Sequence, residues 1–305
     1  MLSRHRIATA LVIGTLLLAP IQAQNPQTQP DSQWKTLEQA LGRTGKAQPG
    51  DVYKFGMPRS DMQVTVEGVP IKASLALGSW LAFKKMGTNT TVMGDLVLTE
   101  DEVGPVMQKL QQEGIEQTAL HNHVLHETPR VMYMHVSGHG DAAKLAQALH
   151  DALALTHTPR PSTPAAITNA PPLGIDQDAI SNVLGYRGTV TGGVLQFSVP
   201  RAQKITDGGM EVPPSMGTAT GLNFQPTGNG RAAITGDFVL IASEVNPVIR
   251  ALRQNGIEVT AIHNHMLTEE PRLFFMHFWA NDDALKLANG LKAALAVTNS
   301  AKAPR

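Results

Sequence analysis

Two stretches of the chain carry residues that could bind an ion together. Residues 118–135 read TALHNHVLHETPRVMYMH and residues 260–277 read TAIHNHMLTEEPRLFFMH. Each holds a His-x-His pair and a third histidine farther on: His121, His123 and His135, then His263, His265 and His277. The second half of the chain has no other histidine, whereas His126, His139, His150 and His157 of the first half have no counterpart there. Imidazole is the commonest metal-ligating side chain. Three of them with one open position suit a divalent transition metal, zinc above all. With no cysteine in the chain, thiolate sites and disulfides are excluded.

Further groups around the histidines suggest roles. Glu127 and Glu269 follow each His-x-His pair and could be a fourth ligand or the general base acting on metal-bound water. Arg130 and Arg272, directly after the turn proline, could hold a substrate anion or carboxylate. Asp95 and Asp237 could orient an imidazole from behind. Asn122 and Asn264 lie between the paired histidines, where a hydrogen-bonded structural tie is expected. Each group also has a plainer explanation: the glutamates and arginines could pair across an exposed turn, and the histidines could simply bond the backbone.

The elements that must position these residues are legible from periodicity. The segments 91–98 and 233–240 are β-branched runs and read as strands. A helix should follow, with Pro105 or Pro247 at its first position and Asn246 as a cap. The histidines fall on a hairpin: strand 116–124, a turn around Pro129, strand 131–137. A closing helix should start at Asp141 or Asp283, its apolar face carrying Leu145, Leu149 and Leu153 in the first copy. Side chains alternate across a strand, so His121 and His123 share a face. A register pairing His135 with either one would gather a triad, and a one-residue slip would scatter it. The other face of the second strand is apolar (Met132, Met134, Val136; Phe274, Met276, Phe278), so helices should cover it. The histidine faces of the two copies are then free to meet around a pseudo-twofold axis, forming one cleft with two triads.

The wider chain is a tandem duplication. Residues 94–156 align with 236–298 without a gap, and upstream Phe55-Gly-Met-Pro-Arg59 matches Phe197-Ser-Val-Pro-Arg201. The fold class is α+β: two copies of a β-α-β-β-α unit of split βαβ, ferredoxin-like type, with extra short strands and an N-terminal helix in each. The expected divisions are a signal peptide over 1–23, a polar spacer over 24–33, repeat unit 1 over 34–156, a proline-rich linker over 157–174 and repeat unit 2 over 175–299. The first division rests on Arg4 and Arg6, the apolar run 7–19 and the small residue Ala23. Cleavage there leaves 23 basic against 25 acidic residues, a net charge of −2. That balance attracts neither nucleic acid nor an anionic membrane, and the expected product is secreted or periplasmic, without a stable membrane anchor.

The runs GDLVLTEDEV and GIEQTALHNHVLHETPRVMYMHVSGHGD, with their partners in the second half, resemble the LppY/LpqO family. The resemblance covers nearly all of the chain beyond residue 23. It implies a bacterial envelope-associated or secreted protein and the duplicated architecture, but no reaction. The chain lacks the cysteine that would carry a lipid, so a lipoprotein anchor does not follow.

Two functions remain open at this point. One is an exported metal-binding protein, extending to a metal-dependent hydrolase. The other is a non-catalytic envelope protein, binding a small molecule, an envelope-derived ligand or a partner, with structural histidine clusters. No phosphate loop, dinucleotide fingerprint or nucleophile motif appears to decide between them.

Overall fold

The computed structural model describes residues 32–160 and 173–303. The expected signal peptide, residues 24–31 of the spacer and residues 161–172 of the linker lie outside the described residues. The first repeat runs α1 (Ser32–Leu41), β1 (Lys46–Gln48), β2 (Val52–Pro58), β3 (Val64–Val66), β4 (Val69–Ile71), α2 (Ala73–Ala76), β5 (Gly78–Met86), β6 (Asn89–Thr99), α3 (Glu100–Gln112), β7 (Glu116–His121), β8 (Glu127–Thr128), β9 (Val131–Gly140) and α4 (Ala142–Leu153). The second runs α5 (Gln177–Leu184), β10 (Thr189–Thr191), β11 (Val194–Pro200), β12 (Thr206–Asp207), β13 (Met210–Glu211), a 3₁₀ turn (Pro214–Met216), β14 (Ala219–Gly228), β15 (Arg231–Leu240), α6 (Ala242–Gln254), β16 (Glu258–His263), β17 (Glu269–Glu270), β18 (Phe274–Asp283) and α7 (Ala284–Leu295).

Each repeat builds a six-stranded antiparallel-paired sheet, β1-β2-β5-β6-β9-β7 in the first and β10-β11-β14-β15-β18-β16 in the second. Central strands β6 and β15 are buried over most of their length, which requires cover on both faces. Helices supply it on one side. Leu96, Leu98, Met134 and Val136 pack with Val106, Leu110, Leu145 and Leu149 from α3 and α4; Phe238, Leu240, Met276 and Phe278 pack with Val248, Leu252, Leu287 and Leu291 from α6 and α7. The other repeat supplies it on the opposite side. The small β3–β4–α2 excursion (Val64, Val66, Ile71, Leu75, Leu77) packs on Val194, Ala233 and Trp279 of the second sheet. Reciprocally Ile205, Met210, Val212 and Met216 pack with Val52, Ala82 and Met93 of the first. The result is four layers, with helices outside and the two sheets face to face.

Two expectations need correction. The middle helix begins one turn before its proline, at Glu100 and Ala242, leaving Pro105 and Pro247 inside it. The reason is electrostatic. Glu102 and Glu244 accept the backbone N–H of Thr99 and Ile241 (3.0 and 2.9 Å), and buried Arg59 and Arg201 hold the same carboxylates at 2.7 Å. That cap outweighs the proline signal. The histidine-bearing strand also ends at His121 rather than 124, because the Asn122 and Asn264 amides donate to the carbonyls of Val124 and Met266 and turn the chain. The closing helices start as expected, with the Asp141 and Asp283 carboxylates capping the N–H of Lys144 and Lys286.

Candidate metal centre

The register differs from both expected pairings. Ala119, not His121 or His123, stands opposite His135, and His121 stands opposite Tyr133. The second repeat is the same, with Ala261 opposite His277 and His263 opposite Phe275. A bulge at Thr118, and its twin at Thr260, shifts the ladder. His121 and His135 still share a face, because the offset is two residues rather than one. Each bulged threonine uses its hydroxyl across the repeats: Thr118 donates to the His265 carbonyl at 2.6 Å and Thr260 to that of His123. Each His-x-His loop is therefore held by the opposite half of the molecule.

A continuous row of side chains crosses each sheet. In the first it is Gly56, Trp80, Asp95, His135, Ala119; in the second, Ser198, Gly221, Asp237, His277, Ala261. Glycine precedes the aspartate in both, since a β-carbon at Gly94 would lie 2.7 Å from the Trp80 carbonyl and one at Gly236 would collide with that of Gly221. The same glycine carbonyls face the imidazoles, and His277 Nδ1 lies 2.7 Å from the Gly236 oxygen.

The two rows face each other and their histidines interleave. His121 stacks on His263 (ring centroids 3.6 Å apart), His123 on His277 (3.8 Å) and His135 on His265 (3.7 Å). Tyr133 and Phe275 floor the stacks beneath His123 and His265. Three overlapping sets have ligand atoms within 4.8 Å of one another: His121, His135, His263 and His265; Asp237, His263, His265 and His277; His121, His123 and His277. The second repeat's triad thus converges with Asp237, while the first repeat's is divided between two sets that borrow from the second.

Among the described residues, every one of the six Nε2 atoms is buried and lacks a hydrogen-bond partner, as does one carboxylate oxygen each of Asp95 and Asp237. Burial lowers all six imidazole pKa values, His121 to about 4 and His277 to about 3, with repulsion from neighbouring imidazoles adding to the effect at every one but His121. Burial also raises Asp95 to about 7, against the attraction of Lys54, and raises Asp237 well above the carboxylate range. The imidazoles are therefore neutral, the protonation state a metal requires. Where Nδ1 donates to a carbonyl, the Nε2 lone pair is left facing the centre.

Beside the cluster lies a cavity of about 1090 Å³ between the sheets, lined by His123, His135, His265, His277, Asp95 and Asp237, and by Lys54 and Trp80 farther along.

A family model matches the chain twice, over residues 35–155 and 178–297. The chain belongs to the family described as Domain of Unknown Function (DUF1259). No curated protein matches it. Among solved structures it is similar to the trimeric bacterial microcompartment shell protein PduB, at 13% identity and a TM-score of 0.21, over 85% of this chain and 95% of that one. A second is EtuB from Clostridium kluyveri, at 9% identity and a TM-score of 0.20, over 85% and 96%. At such TM-scores neither likeness bears on function.

In this DUF1259 chain the glutamates and arginines stand apart from the donor sets and from the cavity wall. Glu127 and Glu269 accept the backbone N–H of Val131 and Leu273 and brace the turn. Burial pushes Glu127 up to about 7, against the pull of the Val131 N–H and Arg130. Arg130 is exposed and 3.9 Å from Glu100, whereas Arg272 pairs with Glu269 at 3.2 Å. The carboxylates that do face the histidines are Asp95 and Asp237. Sequence reasoning missed Lys54 and Trp80; no repeat signal marks them, because the matching positions are Gln196 and Gly221. It also passed over Thr118 and Thr260, although both open the repeated stretch.

Proposed function

We propose that the protein binds one or two divalent transition-metal ions in the cluster formed by His121, His123, His135, His263, His265 and His277, with Asp237 as an oxygen ligand. The observation that supports this is the set of eight buried, unpartnered donor atoms aimed at one another. A buried polar group without a partner costs about 1–3 kcal/mol, so a purely structural cluster would be expected to pair them. Tetrahedral zinc holds its ligand atoms about 3.3 Å apart at bonds of 2.0–2.1 Å. Donor atoms within 4.8 Å reach that by modest side-chain rotation. The all-nitrogen and oxygen donor set fits zinc, and equally nickel, copper(II) or iron.

The test is metal content of tag-free protein, followed by His121→Ala and His263→Ala. These two stack at the centre and between them contribute to all three donor sets. Stoichiometric metal, lost in both variants with the fold intact by circular dichroism, is the expected outcome. Absence of metal from wild-type protein refolded with zinc would overturn the reading.

The cavity against the cluster favours an extension to metal-dependent hydrolysis. A bound metal would supply acidified water. With Asp237 ligating the ion, Asp95, rather than Glu127 or Glu269, is the carboxylate beside the cluster that would hold its proton. Export to the periplasm or beyond, and kinship with LppY/LpqO proteins, complete the proposal on the sequence of the amino-terminal segment and the repeated motifs.

A further inference from the structure

The cavity wall breaks the symmetry that the histidines keep. Lys54 of β2 and Gln196 of β11 occupy matching positions, and each makes the matching bond across the repeats. Lys54 Nζ donates to the Ser215 carbonyl at 2.9 Å, and Gln196 Nε2 donates to the Ser74 carbonyl at 2.7 Å. A neutral amide therefore suffices to join the halves, and the positive charge of Lys54 is surplus to that task. The ammonium is also braced by the Trp80 ring, 4.2 Å from its centroid, where the second repeat has only Gly221. Next to it the Ser215 hydroxyl is buried, lines the cavity and has no partner among the described residues. One charged donor and one orphaned hydroxyl thus face the same space as the histidine cluster.

We propose that the cavity takes a small organic anion, a carboxylate or a phosphate ester, whose charged group is held by Lys54 and the Ser215 hydroxyl while its other end reaches the metal centre. This rests on the metal reading only for that far end. At about 1090 Å³ the cavity is slightly larger than most small-ligand sites, which span about 300–1,000 Å³, so a small organic anion fits with room for water. An ammonium keeps two further N–H donors after its bond to Ser215, and a charge-assisted bond in a sheltered site is stronger than a neutral one. Burial lowers Lys54 to about 8, against the attraction of Asp95, so the ammonium persists at neutral pH; a divalent ion in the cluster would add positive charge to the same space.

Calorimetric titration of the full chain with phenyl phosphate and with benzoate tests this, both after stripping with chelator and after loading with zinc, with zinc content measured separately. Lys54→Gln copies the second repeat and keeps the bond to Ser215; Lys54→Arg keeps the charge. The expected result is saturable binding of at least one anion by wild-type protein, weakened about tenfold or more in Lys54→Gln and restored in large part in Lys54→Arg, with zinc content unchanged throughout. Preference for phenyl phosphate or benzoate tells which anion the site serves. Equal affinity in wild type and Lys54→Gln, or no saturable binding of either anion, overturns the proposal. Lys54-dependent anion binding without zinc uptake would sink the metal reading and leave this one standing.

Discussion

The two sheets carry the same row of chemistry up to a point and then part. Asp95–His135 and Asp237–His277 match residue for residue, and both rest on a preceding glycine. One strand farther, Trp80 of the first sheet is matched by Gly221 of the second, and beside it Lys54 is matched by Gln196. The centre is built twice, and the wall is built once. Matching positions are those where both halves surround a common point, and differing ones are those where a bound molecule would have two unlike ends.

The strongest way to probe this comparison is at the buried arginines. Replacing Arg59 or Arg201 by Met leaves Glu102 or Glu244 buried without its cation, and a loss of about 3–5 kcal/mol is expected by urea denaturation. Arg59 also pairs with Asp61 at 2.8 Å, while Arg201 bonds the neutral Gln203, so the first repeat should lose more. Equal losses would show that the extra carboxylate contributes little.

Next in size is the metal affinity. Asp237 joins a donor set and Asp95 joins none, so Asp237→Asn should weaken zinc binding more than Asp95→Asn does. A difference on the order of 10–100-fold in chelator competition is expected. Matching losses would mean that bound metal restores the symmetry.

The pH response of chelator-treated protein follows from the depressed imidazoles. Unfolded, they titrate near 6.5; folded, well below it. Between those values the unfolded chain binds more protons, so stability falls as pH drops below about 6.5. Asp95, Asp237 and Glu127, raised in the folded state, act in the opposite direction over part of that range, but six imidazoles outnumber them. Thermal midpoints between pH 7 and 5 should decline, and zinc-loaded protein should decline less. A flat profile in the metal-free form would contradict the burial of the cluster.

The smallest effect tests the crossed threonines. Thr118→Val and Thr260→Val each remove one hydrogen bond, at a cost of about 0.5–1.5 kcal/mol. The two should be alike, since the bonds are twins.

Much of this was legible in the residues. The repeated histidines, the apolar faces behind them and the capping aspartates at 141 and 283 all follow from spacing and periodicity. The register did not. Alternation by twos fixes which face a side chain occupies, but the bulge at Thr118 answers to a carbonyl in the other repeat, which no local pattern encodes. The two histidine faces were expected to meet as two separate triads; their mixing was invisible for the same reason, since His135 is near His121 in sequence yet stacks on His265. Arg59 and Arg201 were visible only as a repeated Pro-Arg, and their burial became intelligible once Glu102 and Glu244 were found beneath them.

The crossed threonine bonds tie each His-x-His loop to the opposite half of the molecule. Two separate identical subunits could build such a centre, but a twofold dimer must repeat every side chain on both sides. Joining the halves into one polypeptide lifts that obligation. A single lysine can then stand on one wall without a twin across from it, and an approaching molecule has a defined way round.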